Sequence, residues 1–224
     1  MGVRDVVTDV MYRTLTQLGR TIALDVCQWE VHHLERVPRH GRVIVASNHV
    51  SFIDPVLISS LVDRPLRFMA SEDVFRVPII QPFLKLSGAL PVRRGRRNVQ
   101  VARCALRLLQ EGGALGIFPE GTRGRRGDFC VPLPFRAGVG WLAIRSRAPV
   151  VPVAIEGYAP LWTGSRWTRP TRMRIRCGEP IRFCERDFPC AGRELRQRAT
   201  EAIYDAIASL MHPSRRANEL LVRA

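Results

Sequence analysis

The sequence predicts an α/β fold: a central, mostly parallel or mixed sheet flanked by helices, with an amphipathic helix at the N-terminus. Three observations point there. Short β-branched apolar runs at 43–46 (V-I-V-A), 114–118 (A-L-G-I-F) and 149–155 (P-V-V-P-V-A-I) read as strands buried on both faces. Between them lie segments with helical spacing, the alternation that builds a parallel sheet with crossover helices. A chain of 224 residues, 46% of them apolar, can bury one sizeable core without a disulfide or metal to hold it.

Along the chain, residues 3–22 set Val3, Val6, Val7, Val10, Met11, Leu15, Leu18 and Ile22 on one helical stripe. Such a helix either packs on the domain or lies in a lipid interface. This segment, 1–28, precedes a main domain at 29–212 and a mobile, Arg-containing tail at 213–224. After the strand at 43–46, the segment S-N-H-V-S-F-I-D leads to Pro55, a residue favoured in the first helical turn. Residues 89–92 read as a short strand and 98–110 as a helix closed by Gly112-Gly113. The strand at 114–118 follows, then a helix including 141–145, the strand at 149–155, a late strand at 173–177 and a closing helix at 191–211 ended by Pro213.

The charge is lopsided. Thirty-five Lys+Arg stand against 20 Asp+Glu, a net +15, and Lys85 is the only lysine. Residues 91–150 hold 12 Arg and 3 acids, whereas 51–90 balance at four each. Guanidinium groups present a planar fork of donors suited to phosphate and carboxylate, so the middle of the chain reads as an anion-binding face. Nucleic acid is the partner the charge alone would suggest. With 7% aromatic residues the chain has few stacking platforms and no nucleic-acid fold signature, so no nucleic-acid partner is expected.

Six cysteines at 27, 104, 130, 177, 184 and 190 form no CxxC pair and have no histidine at zinc-finger distance. They read as reduced thiols, with no metal site. Nothing approaches the roughly 20 consecutive apolar residues of a membrane span, and charges interrupt the first 30 residues where a secretory leader would lie. The expected place is the cytosol or a membrane surface.

Three constellations carry chemistry. Asn48-His49 ends a strand, where ligand sites of α/β sheets gather. If the connection folds back, Asp54 can fix one ring nitrogen while the other faces a substrate hydroxyl. Alternatively Asp54 only caps its helix and His49 is a polar loop residue. Next, 118–124 (F-P-E-G-T-R-G) follows a strand: Gly121 and Gly124 free the backbone for a ligand and Arg123 offers donors to a phosphate. Glu120 either orients that arginine or binds a hydroxyl; a plain turn with a surface ion pair is the other reading. Last, 88–97 (G-A-L-P-V-R-R-G-R-R) is an anion clamp or a solvated charge run.

Together these blocks resemble the glycerolipid (lysophospholipid) acyltransferase family. His49-x-x-x-x-Asp54, 88–95, 118–123 and 151–155 (V-P-V-A-I) match four family blocks in order, over roughly residues 29–185. The resemblance implies a glycerol-phosphate acyltransferase-like fold. It implies transfer of a fatty acyl group from acyl-CoA or acyl carrier protein to the free hydroxyl of 1-acyl-sn-glycerol-3-phosphate, giving phosphatidic acid. Another lyso-lipid or glycolipid acceptor is the alternative. His49 becomes the general base and Asp54 its orienting partner. Arg94, Glu120, Gly121, Thr122 and Arg123 are assigned to the acceptor phosphate and glycerol, with Asn48, Pro119 and Arg136 in support. The acyl donor is a co-substrate and no cofactor or metal is implied. The enzyme would sit peripherally on an anionic membrane surface, on the cytoplasmic side of the cell membrane. Two departures stand out: Arg93 occupies a position the family usually gives to an acidic or neutral residue, and Arg136 replaces the common lysine.

Overall fold

The computed structural model describes residues 3–21, 23–24, 29–51, 54–78, 80–93, 95, 98–121, 132–157, 173–183 and 192–211. In chain order the elements are α1 (Val3–Thr21), β1 (Glu30–His32), β2 (Val43–Ser47), α2 (Asp54–Leu61), β3 (Leu66–Ser71), α3 (Gln81–Leu86), β4 (Leu90–Val92), α4 (Val99–Gln110), β5 (Ala114–Ile117), α5 (Gly138–Ser146), β6 (Val150–Glu156), β7 (Arg174–Cys177) and α6 (Arg193–Met211). Seven strands form one sheet in the order β1-β7-β6-β2-β5-β3-β4.

β2 lies at the centre, parallel to both β5 and β6, and β3 joins β5 and β4 in parallel. Five strands therefore end on the same edge. β7 runs antiparallel to β6 and parallel to β1, so the sheet is mixed at that end. Pro152 is tolerated inside β6 because its missing donor faces β7, just past the last registered pair, Val153 with Cys177. There only its carbonyl is used, by the Gly178 N–H at 2.8 Å.

Alternation along β2 explains the two cores. Val43 and Val45 pack with Leu57, Ile58 and Leu61 of α2 on one face, while Ile44 and Ala46 pack with α4, α5 and α6 on the other. All five β2 residues are buried, which is why the run lacks any polar alternation.

α1 lies against α2. Gly19 permits that contact, since a Cβ there would sit 2.3 Å from Ser60 Oγ. Tyr12 is buried, stacks on Phe83 and accepts the Leu66 N–H at 3.2 Å through its hydroxyl. Val10, Met11, Leu15 and Leu18 are left exposed. Among the described residues, no helix is long and apolar enough to cross a membrane.

Three elements escaped the sequence reading. β1 is only three residues long and partly exposed. β3 carries the exposed Arg67, and only Leu66 and Phe68 of its six residues are fully buried, so it lacks the apolar run that marked its neighbours. α3 is six residues with Pro82 in its first turn, too short to show a period. Cys177 is buried and Cys104 exposed, both as free thiols; burial pushes the Cys177 thiol up to about 12. The other four cysteines and the segment 213–224 lie outside the described residues.

Candidate active site

Buried polar side chains are uncommon and signal a purpose. Here Ser47, Asn48, Asp54 and Glu120 are all buried and all lie where β2 and β5 end. Asn48 holds the floor: its Nδ2 donates to Ile155 O at 2.8 Å and its Oδ1 accepts the Ile155 N–H at 2.7 Å. One side chain thus ties the end of β2 to β6 and fixes the direction in which the chain leaves the sheet.

The next residue is His49. Its Nδ1 donates to Asp54 Oδ2 at 2.7 Å, and the same oxygen accepts the backbone N–H groups of Val50 and Ser51, each at 2.8 Å. Asp54 is therefore the first residue of α2 but does not act as a forward cap. Its carboxylate turns back and gathers the loop that precedes it. The side chain is fully buried while the imidazole keeps 17% exposure. With Nδ1 committed to a carboxylate, the tautomer is set and Nε2 is the nitrogen left for a substrate. The ring also stacks on Phe118, centroids 4.1 Å apart and planes at 18°, and Phe118 stacks on Phe68 at 5.3 Å. Phe118 directly follows β5 and Phe68 lies in β3, so three strands converge beneath one imidazole.

The turn after β5 comes next. Pro119 is buried, and the Gly121 N–H returns to Phe118 O at 3.1 Å. Gly121 has φ +65°, a conformation that favours glycine, and a Cβ there would meet Arg136 Nε at 2.6 Å. Arg136 lies over this turn, and its N–H donates to Pro119 O at 3.0 Å. Glu120 is only 6% exposed. Its Oε1 accepts the Leu133 N–H at 3.2 Å, and Oε2 has no hydrogen-bond partner among the described residues. Burial pushes its carboxyl up to about 7; the Leu133 and His49 N–H groups pull it down, and the Asp54 carboxylate adds to the rise.

At the end of β4, the Arg93 side chain donates to Glu72 at 2.7 Å. Asn98 does not cap α4. It accepts the Arg93 N–H at 2.9 Å and donates to Arg93 O at 2.8 Å, closing the 93–98 loop.

The structure thus brings together Asn48, His49, Asp54, Pro119, Glu120, Gly121 and Arg136. Arg94, Thr122 and Arg123 lie outside the described residues. Sequence reasoning missed Phe68 and Phe118 as the bed for the imidazole and Leu133 as the partner of Glu120. Phe118 stood in plain view within F-P-E-G-T-R, but its partner Phe68 lay in an unread strand.

Among known proteins, the chain is 27% identical over 183 residues to the 1-acyl-sn-glycerol-3-phosphate acyltransferase of Bacillus subtilis, spanning 81% of this chain and 87% of that one. The Borreliella burgdorferi protein of the same name is 32% identical over 123 residues, 54% of this chain and 48% of that one. The crystal structure of the 1-acyl-sn-glycerophosphate (LPA) acyltransferase PlsC from Thermotoga maritima superposes with a TM-score of 0.68 at 25% identity, covering 94% of this chain and 83% of that one. The Acyltransferase family model matches residues 28–156, a span that includes the His49–Asp54 pair, both loops and most of the sheet. The chain belongs to the Acyltransferase family.

Proposed function

We propose that the chain transfers a fatty acyl group from a thioester donor, acyl-CoA or acyl carrier protein, to the free hydroxyl of 1-acyl-sn-glycerol-3-phosphate, giving phosphatidic acid. The observation that carries this reading is the imidazole fixed through Nδ1 by a buried carboxylate, with Nε2 uncommitted among the described residues. The names of the relatives support the choice of acceptor.

Nε2 takes the hydroxyl proton as the acceptor oxygen attacks the thioester carbonyl. The carbon–oxygen bond forms, the carbon–sulfur bond breaks, and the imidazolium returns the proton to the departing thiolate. Asp54 stabilises the imidazolium in between. Arg94 and Arg123 hold the acceptor phosphate by charge-assisted hydrogen bonds, helped by Thr122, Gly121 and the exposed Arg136. Glu120, buried and joined to Leu133, keeps the 119–121 turn in place beside His49.

The exposed Val10, Met11, Leu15 and Leu18 of α1 suit a peripheral seat on an anionic membrane, at its cytoplasmic side. Co-flotation of the full chain with anionic vesicles tests that seat, and failure to float removes it. The reaction itself is tested with purified protein, labelled acyl donors and a panel of lyso-acceptors, products being weighed by mass spectrometry. Phosphatidic acid as the main product is expected. A different main product replaces the acceptor, and no transfer to any acceptor overturns the reading.

A further inference from the structure

His49, Phe118 and Phe68 form one ladder of rings that runs from the site into the core. The imidazole and Phe118 lie with centroids 4.1 Å apart and planes at 18°, and Phe118 and Phe68 follow at 5.3 Å and 14°. The inner ring is anchored. Phe68 is 1% exposed and pairs with Gly116 in the β3–β5 register. A Cβ on Gly116 would sit 2.4 Å from the Phe68 ring, so the missing side chain is what lets that ring lie across β5. Phe118 stands two residues after Gly116 and packs against the same core cluster as Phe68. The acids beside His49 meet other parts of it. Asp54, from α2, takes Nδ1 at the ring edge, and Glu120, from the turn after β5, accepts the His49 backbone N–H. Phe118 covers a face.

We infer that Phe118 is a positioning residue of the transfer: its ring face holds the plane of the imidazole and stabilises the imidazolium that forms as the acceptor hydroxyl loses its proton. This rests on the acyl-transfer reading above and adds a group which that reading does not use. Asp54 leaves two needs unmet. One hydrogen bond at Nδ1 fixes the tautomer but lets the ring rock about the Cβ–Cγ bond, a soft torsion in histidine. A flat ring packed on one face removes that rocking, and with it the sweep of Nε2, where a misplacement of about 1 Å can cost about 10²-fold in rate. The second need is charge. An aromatic face carries negative potential and attracts a cation lying within about 6 Å of its centroid, more strongly where water is excluded. At 4.1 Å the imidazole is well inside that range, and the ladder keeps water from the shared face. The attraction is strong for the imidazolium and weak for the neutral ring. It therefore acts in the transition state more than in the resting enzyme, which raises kcat and leaves KM alone. Phe68, seated over Gly116, acts through Phe118 by holding it flat.

Site-specific replacement of Phe118 in the full chain by phenylalanines of rising ring fluorination, up to pentafluorophenylalanine, tests this. Fluorine withdraws the negative potential of the face and nearly preserves the shape of the ring. The kcat should fall with each step, to about tenfold below wild type at full fluorination, with both KM values and the melting temperature unchanged. NMR supplies a readout without turnover. The pH at which the His49 ring takes up its proton, assigned against His49→Ala, should drop across the series by about one pH unit, the same factor of ten. Asp54 and Glu120 face His49 in every member, so their influence cancels. Phe118→Leu, which fills the space without an aromatic face, should also lose about tenfold or more in kcat. A kcat and a protonation midpoint indifferent to fluorine content would overturn the inference, whatever Phe118→Leu does. So would losses of kcat that simply follow losses of melting temperature. Either result leaves acyl transfer at His49 standing. Failure of the wild-type chain to transfer with any donor sinks the functional reading instead, and the NMR series still decides the role of the stack.

Discussion

Asp54 and Glu120 are two buried carboxylates at the ends of neighbouring strands, and they are provided for differently. Three donors converge on one oxygen of Asp54, all supplied from within five residues of it. Glu120 draws on Leu133, thirteen residues along the chain, and on the His49 backbone, and its burial outweighs both, lifting it to about 7. A carboxylate with local donors can be enclosed completely and still orient a base. One that depends on distant donors becomes sensitive to pH, and through them it couples the β5 turn to the chain beyond.

The largest effect is expected at the better-provided acid. Asp54→Asn keeps an oxygen for the Val50 and Ser51 amides but sets only a neutral dipole against the imidazolium. Turnover should fall by about 10²–10⁴-fold with the KM values little changed. A normal rate would reduce Asp54 to a loop clasp. Next comes the Asn48 tie between β2 and β6 that lies just before His49. Asn48→Ala leaves the Ile155 N–H and C=O buried without their partner, at a cost of about 1–3 kcal/mol read by denaturant unfolding. Unchanged stability would mean that β2 and β6 hold their ends without it.

The smallest effect belongs to Glu120. Its carboxyl titrates at an ordinary 4.5 when unfolded and near 7 when folded. Between those values the folded chain binds more protons, so this group's contribution is full below about 4.5 and is lost as pH rises through 7. Glu120→Gln should remove that slope. The wild-type melting temperature should fall by several degrees more than the variant's between pH 5 and pH 8. Parallel curves would show that Glu120 does not titrate in this range.

The contrast also explains what could be read from sequence. The His49–Asp54 clasp lies within six residues and β2, β5 and β6 are continuous apolar runs, so local pattern sufficed. β3 was invisible because Arg67 and three part-exposed residues break its pattern, and the Phe68–Phe118 stack beneath His49 went with it. The Glu120–Leu133 contact joins residues thirteen apart in sequence, a separation no local rule spans. Arg103, Arg136, Arg145, Arg193 and Arg196, far apart along the chain, line one groove beside Phe135, Trp141 and Tyr204. Composition showed that positive charge concentrates in mid-chain, but only packing shows that it surrounds an aromatic hollow.

The most direct measurement is the turnover of His49→Ala with labelled donor and acceptor at saturation, beside its thermal unfolding. The imidazole keeps 17% exposure, so the fold should survive and the melting temperature should stay close to that of the wild type. Turnover should drop by about 10²–10⁴-fold, the contribution expected of a positioned general base. A folded variant that still acylates at a near-normal rate would contradict the role given to His49.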